Sequence, residues 1–113
     1  MTNTQLLPHQ RLHVFGIAKE MLVAVRDAHI RDAKLRDEAL RSAKGMCLNI
    51  AEAAGRVTTA DKGRAFTIAR GECVECAAAL EIAALLGDAR AEDSARVAAL
   101  ANSVVAMLTR LIR

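Results

Sequence analysis

Apolar residues recur every three or four positions through most of this chain, a spacing that places their side chains on one face of an α-helix. The most regular of these stripes comprises Phe66, Ala69, Cys73, Cys76, Leu80, Ala83 and Gly87. Three others comprise Leu12, Phe15, Ala18, Leu22, Val25 and His29; Ala39, Ala43, Met46, Ile50 and Ala54; and Val97, Ala101, Val104, Leu108 and Leu111. The stripes predict helices over residues 8–29, 33–55, 59–86 and 89–112.

The residues between these stripes are typical of helix ends. Asp32 suits the N-cap of the second helix, and Thr58 with Asp61 resembles a capping box that opens the third. Gly87 offers a stop before the fourth helix. Four helices joined by three short connections favour an all-α, antiparallel up-down-up-down four-helix bundle. We expect one such domain over residues 1–113.

The composition is typical of a helical protein, and the sequence also predicts where in the cell the protein is located. Hydrophobic residues make up 53% of the chain and aromatic residues 2%, so the core must be built from Ala, Leu, Val, Ile and Met. No run of about 18 uncharged apolar residues occurs. The first eight residues lack the charged start and apolar stretch of a secretory signal. We therefore expect a cytoplasmic protein that does not associate with a membrane.

The three cysteines fall inside the apolar helical pattern. Cys73 and Cys76 have the spacing of a redox or zinc motif, but they occupy consecutive seam positions within a helix. Cys47 lies inside the apolar pattern of the helix before. Reduced thiols that pack in the core are the preferred interpretation. His9 and His13, four residues apart, would supply only two metal ligands. We assign no metal and no cofactor.

The third and fourth helices stay apolar beyond their seams. The additional apolar residues are Ala65, Ile68, Ala77, Ala78, Ala84, Leu85, Ala98, Leu100, Val105, Met107 and Ile112. A helix that is apolar on more than one side usually has a second partner, so we expect self-association. The alternative is that small alanine side chains simply tolerate exposure.

Charge is unevenly distributed along the chain. Residues 31–70 hold nine Lys/Arg against five Asp/Glu, whereas residues 71–113 hold four against six. An anionic partner would be drawn to the second helix and the start of the third. The candidate phosphate contacts are Arg41, Lys44, Arg56, Lys62, Arg64 and Arg70. The alternative is an ordinary solvated polar face. Without Trp or Tyr there is almost no stacking platform, so any nucleic acid would be recognised by backbone and shape with little sequence specificity.

A polar stripe on the second helix carries Asn49, Glu52 and Arg56 at helical spacing, and Glu75 lies on the third helix. If these faces meet, Arg56 can pair with Glu52 or Glu75 and Asn49 can bridge, which gives a buried polar network that fixes register. A catalytic carboxylate pair is the alternative. It is disfavoured because the sequence supplies no nucleophile, ordering histidine or metal nearby. We therefore expect a protein that is not an enzyme.

Two segments resemble a known family. The run over residues 41–56 contains Asn49, Ile50, Ala51, Glu52, Gly55 and Arg56, and the run over residues 66–75 contains Ile68, Ala69, Gly71 and Glu75. They resemble the bacterial four-helix-bundle family first noticed as open reading frames in intervening sequences of 23S ribosomal RNA. The family pattern is an arginine pair, then Asn-Ile-Ala-Glu-Gly-x-Gly-Arg, then Ile-Ala-x-Gly-Ser-x-x-Glu. Here Leu40, Ala53 and Glu72 depart from it.

That family resembles, in turn, the accessory variability determinant of diversity-generating retroelements. The resemblance implies a four-helix protomer, a ring-shaped homopentamer with a basic surface, and binding of nucleic acid, RNA rather than DNA. For the retroelement branch it also implies action with a reverse transcriptase and its template RNA. A scaffold for protein partners with no direct nucleic-acid role is the competing interpretation of the same chain.

Overall fold

The computed structural model describes residues 5–113 and consists of helices joined by short connections. A 3-10 turn at Pro8–Arg11 is followed by α1 (His13–Asp27), α2 (Ala33–Gly55), α3 (Thr59–Leu85) and α4 (Ala91–Ile112), with no strand among the residues described. Each helix packs against the next, and α4 packs against α1. This arrangement confirms the predicted all-α, up-down-up-down bundle. The first four residues, which entered the prediction about a secretory signal, lie outside the described range.

Side-chain caps begin α2 and α3 where the sequence predicts them. The Asp32 carboxylate accepts a hydrogen bond from the Leu35 amide at 2.9 Å, and the Thr58 hydroxyl accepts one from the Asp61 amide at 3.1 Å. Each cap satisfies an amide that has no partner within its own helix. Gly87 follows the end of α3 with a φ of +79°, a left-handed conformation that glycine adopts without strain.

The first helix begins later than predicted. Pro8 opens a separate 3-10 turn, Leu12 is extended (φ −86°, ψ 122°), and α1 starts only at His13. At the other end, α1 finishes at Asp27 and His29 adopts a φ of +48°. The predicted helix over residues 8–29 is therefore wrong at both ends.

The buried face of α1 also differs from the predicted stripe. Val14 and Met21 are buried, whereas their neighbours Phe15 and Leu22 are only half-buried. His29, the last predicted member, is exposed. Adjacent apolar residues present two stripes of equal spacing here, and contact with the other helices decides which one is buried.

The seams of the other three helices are confirmed except at their ends. Ala54 is half-buried and its neighbour Ala53 is buried instead, while Gly87 and Leu111 are exposed. Their fully buried large side chains include Met46 and Ile50 on α2, Leu80 on α3 and Leu108 on α4. Between these lie buried alanines, which let the helix backbones approach closely. The buried alanines at 0% exposure are Ala18, Ala39, Ala43, Ala53, Ala69 and Ala83. The core is therefore built from few large side chains, each of which contacts several helices.

Two contacts fix the axial register of the bundle. Cys73 Sγ lies 3.9 Å from Met21 Sδ and 3.7 Å from the carbonyl oxygen of Ala101, which places α1, α3 and α4 at one level. At the same level, Gly45 on α2 faces Glu72. We call this level the mid-plane of the bundle.

Candidate nucleic-acid interface

Arg41 lies among carboxylates on the α2–α3 side of the bundle. Its guanidinium forms ion pairs with Glu38 one turn back on α2 and, across the helix interface, with Glu75 at 2.7 Å and Glu72 at 3.8 Å. Hydrogen bonding to Glu38 raises the pKa of Arg41. With three carboxylates around it, Arg41 is poorly placed to attract a phosphate.

Glu75 joins the two helices through a second donor. The hydroxyl of Ser42, which is fully buried, donates to Glu75 Oε2 at 2.9 Å. Glu38 belongs to the same cluster. The Arg41 guanidinium first, and then a hydrogen bond with Glu75, hold the pKa of Glu38 down to about 2. Ser42, Glu38 and Glu72 are members of this cluster that the sequence analysis did not select.

The carboxylate of Glu72 on α3 lies over Gly45 on α2. A Cβ on Gly45 would collide with Glu72 Oε2, so any larger residue would displace that carboxylate. A groove of about 690 Å³ lies beside this contact; its lining residues include Lys44, Leu48 and Asn49. Lys44 is exposed in that groove, and no ion pair to it occurs among residues 5–113.

The predicted network of Asn49, Glu52, Arg56 and Glu75 does not form as one buried unit. Arg56 pairs with Glu52 at 3.0 Å, the first of its two predicted partners, and both side chains are about half exposed. Asn49 donates to the carbonyl of Gly45 in its own helix at 2.8 Å. Glu75 pairs with Arg41 instead, because Arg56 follows the end of α2, far along the bundle from Glu75.

The remaining cationic candidates lie beyond the mid-plane, toward the connection between α2 and α3. Lys62 Nζ donates to the carbonyl of Ala54 at 3.0 Å, near the C-terminus of α2. Arg64 lies 3.5 Å from Asp61, and its side chain is 77% exposed. Arg70 Nε donates to the Thr109 hydroxyl at 3.1 Å, which ties α3 to α4. The six predicted phosphate contacts thus fall into two groups, with Arg41 and Lys44 apart from the other four.

One face of α3 is apolar and has no helix packed on it in the described chain. It carries Ile68, Val74, Ile82 and Leu85, which are 49%, 50%, 46% and 83% exposed. Beside it, a groove of about 500 Å³ runs between α3 and α4, lined mainly by alanines: Ala77, Ala84, Ala91, Ala95 and Ala98. We call the four large residues and this groove the apolar face.

The fourth helix adds to the same surface. By length and composition α4 could cross a membrane, a test that a core helix of a bundle also passes, and 22% of its most apolar window is buried. The sequence has no uncharged apolar run of that length, whereas this test accepts a window that contains isolated charged residues such as the arginines of α4. Its buried positions, Val97, Ala101, Val104 and Leu108, face the bundle core.

The cysteines are buried thiols. Burial raises the pKa of Cys47 to about 11 and those of Cys73 and Cys76 to about 12. All three are buried, as expected for packing residues, and none forms a disulfide in the described structure. Among residues 5–113, no group of three His, Cys, Asp or Glu side chains is arranged to hold a metal ion.

These features define an all-α bundle protein whose surface is divided between cations, an ion-pair cluster and an apolar face. The sequence profile of the family described as 23S rRNA-intervening sequence protein matches residues 11–110, and the chain belongs to this family. The match confirms the resemblance predicted from the segments around Asn49 and Ile68. The further likeness to the retroelement determinant stays a prediction. No curated protein matches the chain.

Proposed function

We propose that this protein is a non-catalytic, cytoplasmic, nucleic-acid-binding protein that acts as a homo-oligomer. The observation that carries the proposal is a group of cations on the side of the mid-plane toward the α2–α3 connection, in a member of a family tied to ribosomal RNA genes. Arg56, Arg64 and Arg70 of this group are exposed, and Lys62 is half-buried. Salt-sensitive contacts from such residues to phosphates supply most sequence-independent affinity for nucleic acid. RNA is the proposed ligand rather than DNA.

Recognition would be through the phosphate backbone. The chain has no Trp or Tyr and two phenylalanines. Phe15 packs against the core, and Phe66 is buried within it. A protein that lacks exposed aromatic platforms cannot stack bases in the way that single-strand binding domains do. We therefore expect similar affinities for structured RNAs of different sequence.

Binding assays on nuclease-treated protein test this proposal. Fluorescence anisotropy with a labelled RNA hairpin should give an affinity that falls linearly with salt on a double-logarithmic plot. A second hairpin with the same fold and a different sequence should bind equally well. Absence of binding at low salt, or affinity that does not change with salt, would contradict the proposal.

The oligomer is proposed to form through the apolar face. Four large apolar side chains on the outer side of α3, next to an alanine-lined groove, provide a ridge and a recess that a second copy of the same surface can complement. The family resemblance suggests five copies. Repetition would strengthen a weak phosphate-binding surface without any new contact.

Charge substitutions on matched exposed residues test this assembly. Ile82→Asp lies on the apolar face, and Leu48→Asp lies on the exposed side of α2. Light scattering after size-exclusion chromatography should show an oligomer for the wild-type protein and for Leu48→Asp, and a smaller particle for Ile82→Asp. A wild-type monomer, or an oligomer that both variants leave intact, would refute the proposed interface.

A scaffold for another protein is the second candidate, and the same apolar face is the observation that favours it. A foreign helix could occupy the groove in place of a second copy. Pull-downs from nuclease-treated extracts discriminate the two: a scaffold keeps its partner without nucleic acid. Loss of every partner on nuclease treatment would remove this candidate. A reverse-transcriptase partner would be tested in the same way, with the purified enzyme.

A further inference from the structure

We infer that nucleic acid is held at one end of the bundle, which we call the basic end, and not along the α2–α3 side that carries Arg41. The basic end is formed by Arg11, Arg56, Lys62, Arg64 and Arg110. This inference rests on the proposed nucleic-acid function and assigns it to a particular surface.

The mid-plane divides the charged residues of the chain into two unequal groups. Because the helices are antiparallel, residues 5–20, 46–71 and 102–113 lie on one side of the plane through Met21, Gly45, Cys73 and Ala101. That half holds eight Lys/Arg against three Asp/Glu. The other half holds eight against nine, and Glu72 lies on the plane itself. The formal excess of the first half is therefore five positive charges.

The two halves contain equal numbers of basic residues but very different numbers of acidic residues. The acids of the first half are Glu20, Glu52 and Asp61. Those of the second half are Asp27, Asp32, Asp37, Glu38, Glu75, Glu81, Asp88, Glu92 and Asp93. Counting along the chain hides this separation because the segment of residues 31–70 crosses the mid-plane. The predicted positive field on all of the second helix is therefore replaced by a field at one end of the bundle.

Several contacts gather the cations of different helices at this end. The carbonyl oxygen of Ile112 lies 3.4 Å from where a Cβ on Gly63 would sit, so the end of α4 touches the start of α3. A groove of about 220 Å³ joins His13 at the start of α1 to Arg110 near the end of α4. Arg11 and Arg110 are thereby brought to the same end as Arg56 and Arg64, although they lie far from them in sequence.

The local pairing of these cations leaves a positive excess. Arg56 and Arg64 each have one carboxylate partner, Glu52 at 3.0 Å and Asp61 at 3.5 Å. Both pairs are exposed, so a phosphate can compete for the arginine at little cost. Arg11 and Arg110 are exposed and form no ion pair within residues 5–113. Arg41, by contrast, would meet a phosphate only among three carboxylates.

The basic end lies on a different part of the protomer from the middle of the apolar face. Of the large residues on that face, Val74, Ile82 and Leu85 lie on the side of the mid-plane away from the basic end. Self-association there would leave the basic end of each copy accessible. Exposed cations gathered on one end surface can contact several successive phosphates of a polyanion.

Two triple variants with the same change in charge test the inference. The first is Arg56→Gln with Arg64→Gln and Arg110→Gln, on the basic end. The second is Arg26→Gln with Arg31→Gln and Arg96→Gln, in the other half. All six side chains are exposed, and each triple includes an arginine paired with a nearby aspartate. Circular dichroism and light scattering establish that both variants keep the fold and assembly of the wild-type protein.

Affinity for a labelled RNA hairpin should fall at least tenfold for the basic-end triple at about 0.1 M salt. The slope of log K against log salt should also become shallower by about 2 to 3, since each lost phosphate contact contributes about 0.7 to 0.9 to that slope. The other triple should stay within about threefold of the wild type, as its arginines would act only at long range.

The contrary outcomes separate this inference from the function on which it rests. Equal losses in the two triples, or a larger loss in the second, would overturn the basic end while nucleic-acid binding stands. A wild-type protein that binds neither RNA nor DNA would overturn both. Binding to vesicles of anionic lipid, lost in the basic-end triple and unaccompanied by RNA binding, would assign the end to a membrane surface instead.

Discussion

Truncation of Leu80 to alanine would test how tightly this alanine-rich core is packed. Leu80 is 0% exposed and lies on the central seam of α3. Its replacement removes buried apolar surface and leaves a cavity, because alanine-lined helices that already touch cannot move together to fill it. Comparable truncations cost about 3 to 5 kcal/mol. At roughly 0.05–0.15 kcal/mol per residue, a chain of 113 residues has a total stability on the order of 6–17 kcal/mol.

The matched control is Leu48→Ala. Leu48 is 71% exposed in the middle of α2, so the same chemical change should alter the free energy of unfolding by less than about 0.5 kcal/mol. Urea unfolding followed by circular dichroism measures both, since the chain has no Trp or Tyr for fluorescence. Leu80→Ala should lower the midpoint at an unchanged m-value.

A loss below about 1 kcal/mol for Leu80→Ala, or equal effects of the two truncations, would refute the packing described for α3. Such a result would indicate that α3 is rotated so that another stripe faces the core. Measurement at two protein concentrations separates this result from a change in self-association, which would make the midpoint depend on concentration.

Three further predictions concern polar and thiol groups. Ser42→Ala should cost about 1 kcal/mol because the buried hydroxyl donates to Glu75, whereas the exposed Ser103→Ala should be neutral in the same urea assay. The pKa of Glu38 is lowered from 4.5 to about 2, so its contribution to stability is present above pH 4.5 and is lost as the pH falls toward 2. Melting temperatures measured across that range should therefore fall less steeply in Glu38→Gln than in the wild-type protein. Equal slopes would count against the ion-pair cluster. Native thiols should resist labelling at pH 8. The labelling rate of Cys73 should lie about three orders of magnitude, and that of Cys47 about two, below the rate of an ordinary thiol. Rapid labelling without denaturant would show that these thiols are not buried.

The third helix shows how much of the fold can be predicted from sequence. Every apolar residue of its predicted seam from Phe66 to Ala83 is buried, and the spacing of these residues alternates between three and four throughout. The first helix shows the opposite case. Neighbouring apolar residues such as Met21 and Leu22 define two stripes of equal quality, and only the position of the other helices decides between them.

The candidate site was harder to predict because charge pairing is a property of neighbouring helices. Arg41 looks like a free cation in the sequence, yet Glu72 and Glu75 approach it from α3. Glu72 stands where the family pattern has serine, and Gly45 leaves the space that this longer side chain occupies. The contribution of Arg110 was missed for a related reason, since only the antiparallel register brings the end of α4 beside the start of α3.

The most direct test of the account is size-exclusion chromatography with light scattering on nuclease-treated protein, with and without a structured RNA, at low and high salt. The protein should be an oligomer at both salt concentrations that co-elutes with RNA at low salt and releases it at high salt. A monomer that elutes unchanged in the presence of RNA at low salt would leave the four-helix bundle standing and contradict the proposed function.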